Sequence, residues 1–146
     1  MPASKVRVFI DADVLIAGAA TKSDHAASLL LLRLAELTLI EAVCSEQVIV
    51  EAARNLEHKI PAALPAFQML VSRCLRVVDD PVRDELEMYQ GAADSKDLPI
   101  LIAAHREHCR WLTTFNIKHF QPGVEGVIVL RPGELILQIR ELLTQM

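Results

Sequence analysis

Among the acidic residues of this chain, a few stand where ordinary structure gives them little use. Asp11 and Asp13 come directly after Val6-Arg7-Val8-Phe9-Ile10, a short, apolar, β-branched run that predicts a buried strand over 6–10. Such a strand has no structural need of two anions at its tip. Asp13 is well placed to cap a helix beginning near Val14, whereas Asp11 is a poor candidate for that role. Glu51 falls in the middle of a helix predicted over 45–58, with Gln47, Arg54, Asn55 and His58 on or near its face. Taken alone, an exposed glutamate paired with Arg54 or Asn55 accounts for it better than a catalytic role. Asp94 and Asp97 bracket the start of a helix predicted over 95–109. Asp94 reads as its N-cap and Asp97 as the third position of a capping-box-like arrangement, both favoured by the helix dipole. Asn116 follows a strand predicted over 111–114 and can equally open the turn before Lys118 and His119.

What groups these residues is their common address, at strand ends and helix starts. In open α/β sheets, ligands bind outside the carboxyl ends of the strands. Several carboxylates crowded at one edge repel one another unless a cation lies between them. Hard oxygen donors in such a cluster point to Mg²⁺ or Mn²⁺.

The elements that must position them alternate. Beyond the first strand, a leucine- and alanine-rich helix is predicted over 24–39, with Ser23 or Asp24 as its cap, then a strand over 40–44 and the 45–58 helix capped by Ser45. Pro61 and Pro65 precede a helical stretch over 67–74, a strand over 75–78 and a polar helix over 82–89. The densely apolar 95–109 helix, strands over 111–114 and 127–130, and a final amphipathic helix opening at Pro132 complete the chain. This alternation predicts a three-layer α/β/α domain on a mainly parallel sheet of about five strands.

Composition narrows the field. The 146 residues fit one domain spanning 1–146, and 52% are hydrophobic, enough for a core without a disulfide or metal staple. The net charge of −4 argues against a binder whose affinity rests on a basic surface, though not against an enzyme that meets nucleic acid through metal ions. Cys44, Cys74 and Cys109 are scattered and read as buried thiols of a reducing compartment. No secretory leader or membrane-spanning stretch is legible, so the expected location is cytoplasmic.

Four segments together resemble the PIN-domain ribonucleases. Phe9-Ile-Asp-Ala-Asp-Val-Leu-Ile16 resembles that family's opening strand and aspartate pair, and Ser45-Glu-Gln-Val-Ile-Val-Glu51 its helix leading to a glutamate. Asp94-Ser-Lys-Asp-Leu-Pro-Ile-Leu-Ile-Ala-Ala104 is similar to its aspartate opening an alanine-rich helix. Leu112-Thr-Thr-Phe-Asn-Ile-Lys-His-Phe120 resembles its final strand, which ends in threonine and, two residues on, Asp or Asn.

The resemblance implies that Asp11, Glu51 and Asp97 hold Mg²⁺ or Mn²⁺, supported by Asp13, Asp94 and Thr114. Asn116 stands where many members carry a fourth aspartate. It keeps an oxygen without the charge, which suits orienting a water or a phosphate oxygen better than ligating metal. His119 replaces another frequent acid, and Lys96 and Lys118 are left to contact phosphates. The implied activity is hydrolysis of RNA phosphodiesters to 5′-phosphate and 3′-hydroxyl ends. Many members of this length are VapC-like toxins, usually homodimers inhibited by an antitoxin protein.

Two other readings compete. A haloacid-dehalogenase-type phosphohydrolase also opens with a strand and Asp-x-Asp, which would make Asp11 a covalent nucleophile and Asp13 its acid/base partner. It leaves Glu51 and the 114–116 motif unexplained, and Asp94 follows no apolar strand. A degenerate PIN scaffold that binds RNA or protein without cleaving is the other, kept open by Asn116 and His119. His105, His108 and Cys109 read as a surface histidine pair beside a buried thiol, and Trp111 as core. The leucines at 29–32 supply either a dimer contact or an internal helix face.

Overall fold

The computed structural model describes residues 5–23 and 26–145. Strand β1 (Arg7–Ile10) leads into helix α1 (Ala12–Ala20), followed by α2 (Ala27–Glu36), β2 (Glu41–Ser45) and α3 (Glu46–Lys59). A 3₁₀ turn (Pro61–Ala63) precedes α4 (Leu64–Cys74), β3 (Leu75–Val78), α5 (Arg83–Glu87) and α6 (Leu98–Arg106). Strand β4 (Trp111–Thr113), a second 3₁₀ turn (Ile117–Phe120), β5 (Ile128–Leu130) and α7 (Pro132–Thr144) follow.

The five strands form one sheet in the order β3-β2-β1-β4-β5, and every pairing is parallel. Phe9 pairs with Val43 on one side and Leu112 on the other, so β1 is the centre of the sheet. Its Val8, Phe9 and Ile10 are fully buried, as a strand covered on both faces requires. Helix α1 packs on α2, α3 and α4, and α2 also on α7, while α6 lies against β2 and β4 beside α5. Residues 100–104 of α6 are all buried, and Ala103 and Ala104 let its backbone come close to the sheet. The predicted α/β/α architecture with five parallel strands is the one found.

Several element boundaries differ from the sequence expectation, each for a local reason. Helix α2 begins at Ala27 after Ala26, so Ser23 does not cap it, and Asp24 lies outside the described residues. It stops at Glu36 because Thr38 adopts a left-handed conformation (φ 62°), with the Leu39 amide reaching back to the Leu34 carbonyl. The same device ends α6 at Arg106. There His108 turns to φ 57° and the Cys109 amide bonds the Ala104 carbonyl, so His108 is not on the helix. His105 is half-buried against Tyr89, its Nε2 3.3 Å from the tyrosine hydroxyl. Trp111, Leu31 and Leu32 belong to the core, and Leu29 and Leu30 are half-buried.

The two edges of the sheet differ in charge balance. At the amino-terminal edge, Arg7 and Arg76 hold Glu41 at 3.0 and 3.2 Å, and Arg76 also reaches Glu107 at 3.6 Å. Partial burial pushes the Glu41 carboxyl up, but the hydrogen bonds from Arg7 and Arg76 outweigh it and hold it below the usual range.

Candidate active site

The carboxyl ends of β1 and β4 mark the point where successive strands leave β1 in opposite directions, the switch point at which open α/β sheets form a crevice. A cavity of about 200 Å³ opens there, lined by Asp11, Asp13, Glu51, Asp94, Lys96, Asp97, Asn116 and His119. An adjoining groove of about 580 Å³ shares Glu51 and Lys96 with it and runs along α3 past Gln47, Arg54 and Asn55.

Asp11 is fixed from several directions. Its amide donates to the Thr113 carbonyl at 3.1 Å, which extends the β1–β4 ladder by one rung. Its side chain caps α1, with Oδ1 accepting from the Ala12 amide at 2.7 Å, while Oδ2 accepts from the Thr114 hydroxyl at 2.8 Å. This corrects the sequence expectation. Because α1 starts at Ala12 rather than near Val14, Asp11 is its cap and Asp13 is left for other contacts. Asp13 Oδ2 accepts from the Phe115 amide (3.0 Å), Asn116 Nδ2 (3.2 Å) and the Thr114 hydroxyl (3.3 Å). Asp13 Oδ1 is buried with no hydrogen-bond partner.

Glu51 comes from the middle of α3. Lys96 Nζ lies 3.9 Å from its Oε1, and Asn55 bonds only its backbone carbonyl, so neither Arg54 nor Asn55 occupies the carboxylate. Ser45 stands at the N-cap position of α3 as expected, but its hydroxyl caps nothing; Asp80 Oδ1 accepts from the Gln47 amide at 3.0 Å instead.

The aspartate pair before α6 also differs from expectation. The N-cap position belongs to Asp97, because the helix begins at Leu98 and not at Ser95. Pro99 carries no N–H for the Ser95 carbonyl, so the helical ladder is broken there and Asp94 lies in the preceding turn. Asp94 is exposed. Asp97 is 14% exposed at its side chain, with Oδ2 3.2 Å from His119 Nδ1.

Burial, with the neighbouring Asp13 carboxylate second, pushes the Asp11 carboxyl up to about 7 against the hydrogen bonds from Thr114 and Ala12. Burial likewise raises the Asp13 carboxyl. An orphaned buried oxygen on Asp13, beside carboxylates that resist ionising together, is a donor set that fits a divalent cation. Lys96 is the cation lining the cavity, and it is 78% exposed.

Comparison with known proteins gives the family. A family profile described as the PIN domain matches residues 7–118. The chain belongs to the PIN domain family. No curated protein matches the sequence significantly. Among solved structures, this PIN domain is similar to PAE2754 from Pyrobaculum aerophilum, with a TM-score of 0.67 and 18% identity over 96% of this chain and 99% of that one. VapBC2 from Rickettsia felis, bound to a DNA fragment from their promoter, gives 0.63 and 19% over 86% and 98%. Mycobacterium tuberculosis VapC20, a Sarcin-Ricin loop cleaving toxin, gives 0.55 and 16% over 81% and 97%. These likenesses establish the fold.

Of the residues singled out in the sequence, Asp11, Asp13, Glu51, Asp94, Lys96, Asp97 and Asn116 meet in the cavity of this PIN domain. Thr114 is buried beneath it as the hydrogen-bond donor to both Asp11 and Asp13. Lys118 is exposed on the 3₁₀ turn and does not line the cavity. Sequence reasoning gave His119 no role. It lines the cavity, and the available signal was that it stands where the resembled family often carries an acid.

Proposed function

We propose that this chain is a divalent-metal-dependent endoribonuclease and the toxin of a toxin–antitoxin pair. The observation that carries the reading is the convergence of Asp11, Asp13, Glu51, Asp94 and Asp97 in a cavity at the switch point of the sheet. PIN domain membership supports nuclease chemistry. Likeness of fold to VapC20 and to VapBC2 supports the toxin reading, with an antitoxin protein as partner. The reading carries with it a homodimer, checked by sedimentation velocity, and a cytoplasmic location. No helix among the described residues is long and apolar enough to cross a membrane.

Asp11, Glu51 and Asp97 would hold Mg²⁺ or Mn²⁺. A divalent ion supplies a water of lowered pKa and offsets phosphodiester charge during in-line displacement. The remaining work falls to this chain's own groups. The Thr114 hydroxyl keeps Asp11 and Asp13 within reach of one donor. Asn116 spends one amide proton on Asp13 and has a second for a phosphate oxygen. Lys96 sits where the cavity meets the α3 groove, and so can neutralise a phosphate of a strand running past Arg54. Lys118 would meet that strand further out.

Single-stranded RNA incubated with Mn²⁺ or Mg²⁺ tests the reading. Expected are 5′-phosphate and 3′-hydroxyl ends, with no cleavage in a chelator or by Asp11→Asn. Unchanged cleavage by Asp11→Asn sinks the site assignment. A second reading, a scaffold that binds RNA without cutting it, is favoured by the uncharged Asn116 turned to Asp13. Wild-type protein that binds RNA but leaves it intact with either metal would establish that reading instead.

A further inference from the structure

Asp94, Asp97 and His119 each offer a ligand atom, and these atoms lie within 4.8 Å of one another. Two segments distant in sequence bring them there. The Asp94 amide donates to the His119 carbonyl at 2.8 Å, and the Gly123 amide to the Ala92 carbonyl at 2.8 Å, so the two segments run side by side. Ala93 and Phe120, both buried, seat them in the core. His119 is thereby held at the cavity with Nδ1 3.2 Å from Asp97 Oδ2.

An isolated surface ion pair explains that contact alone. It does not explain why the imidazole lines the same cavity as Asp11, Asp13 and Glu51, nor why Asp94 is tied to the same turn. Two ligands on adjacent corners of an octahedral ion with bonds of about 2.1 Å stand about 3 Å apart, close to the separation of the Asp97 and His119 atoms. Asp13, whose buried Oδ1 has no hydrogen-bond partner, lines the same cavity.

Resting on the metal-dependent reading above, we propose that His119 is a nitrogen ligand of the divalent ion that Asp97 holds, with Asp94 beside it as a further oxygen donor. The centre is then a mixed oxygen–nitrogen site. Mg²⁺ takes oxygen ligands and gives up water reluctantly, whereas imidazole suits first-row transition ions. The chain accordingly selects Mn²⁺ or a related transition ion over Mg²⁺.

Electron paramagnetic resonance of Mn²⁺ titrated into the metal-free full chain tests this. Spin-echo modulation should show a directly bound ¹⁴N nucleus in the wild type and none in His119→Gln. In that variant Mn²⁺ affinity should fall by at least about tenfold, while Mg²⁺ affinity, read by competition, should move by less than about threefold. His119→Asp should shift preference toward Mg²⁺. His119 is half-exposed, so circular dichroism should show both variants folded.

Bound Mn²⁺ without nitrogen modulation, or modulation that persists in His119→Gln, overturns the proposal. Equal losses of Mn²⁺ and Mg²⁺ affinity also overturn it, since they describe a histidine that only steadies Asp97 by a hydrogen bond. RNA cleavage by the same samples separates the two readings. Nitrogen-coupled Mn²⁺ without cleavage sinks the nuclease and keeps the ligand; cleavage without the coupling does the reverse. A chain that binds no Mn²⁺ overturns both.

Discussion

The hydroxyl of Thr114 lies 2.8 Å from Asp11 Oδ2 and 3.3 Å from Asp13 Oδ2, so one O–H serves two carboxylates at the start of α1. The same oxygen accepts from the Asn116 amide at 3.1 Å. Thr114 is fully buried, so these are the contacts that orient the acids from below. Thr114→Val keeps the shape and removes the hydroxyl. It should cost about 1–3 kcal/mol of stability in urea unfolding and lower RNA cleavage by about tenfold or more. Thr114→Ser should retain most of both.

Asp11 gives a pH dependence whose sign is unusual for a carboxylate. Its folded pKa, about 7, lies above the usual 3.8, so between those values the folded state holds a proton that the unfolded chain has lost. Stability of the metal-free protein should therefore fall as pH rises from about 4 to about 7, by on the order of a few kcal/mol, and level off above that. Asp11→Asn should flatten the slope and be more stable than wild type near neutrality, while cutting no RNA. Urea unfolding in chelator across that range reads it. A wild type that instead gains stability with rising pH would contradict a buried, proton-holding Asp11.

Asn116→Asp replaces an amide that donates to Asp13 at 3.2 Å with a second carboxylate. Like charge at this exposed rim should lower metal-free stability by on the order of 1 kcal/mol. The added carboxylate should make the rise in melting temperature on adding Mn²⁺ larger than in wild type. Thermal scans with and without the ion give both quantities.

Metal should also stabilise the native protein by mass action. An ion at 100 times its Kd adds about 2.7 kcal/mol, seen as a higher melting temperature. Glu51→Gln and Asp97→Asn should each reduce that gain. Substitution of Glu41, which is paired with Arg7 and Arg76 at the opposite edge, should leave the gain unchanged.

Much of this was legible in one dimension. An apolar strand ending in Asp-x-Asp needs no partner to be recognised, and the β3 bounds agree because the β-branched Val77-Val78 pair stops at Asp79-Asp80. The α6 start was misplaced because Asp94-Ser-Lys-Asp97 reads as a capping-box-like opening at Ser95, whereas Pro99 breaks the ladder there and sets the start at Leu98. The left-handed stops at Thr38 and His108 were not legible, because both use ordinary residues where glycine is the usual signal.

The sequence by itself determined which chemistry was available: acids and one amide at strand ends, before a helix start and on one helix face, with few cations among them. Tertiary structure decided how they act together. The parallel register of β1 with β4 sets Asp11 over Thr114, and the pairing of residues 92–94 with 119–123 brings His119 to Asp97. Burial then decides how readily Asp11 ionises. Neither distance nor desolvation is a property of residues taken along a chain, since both arise only when remote segments exclude water from one place.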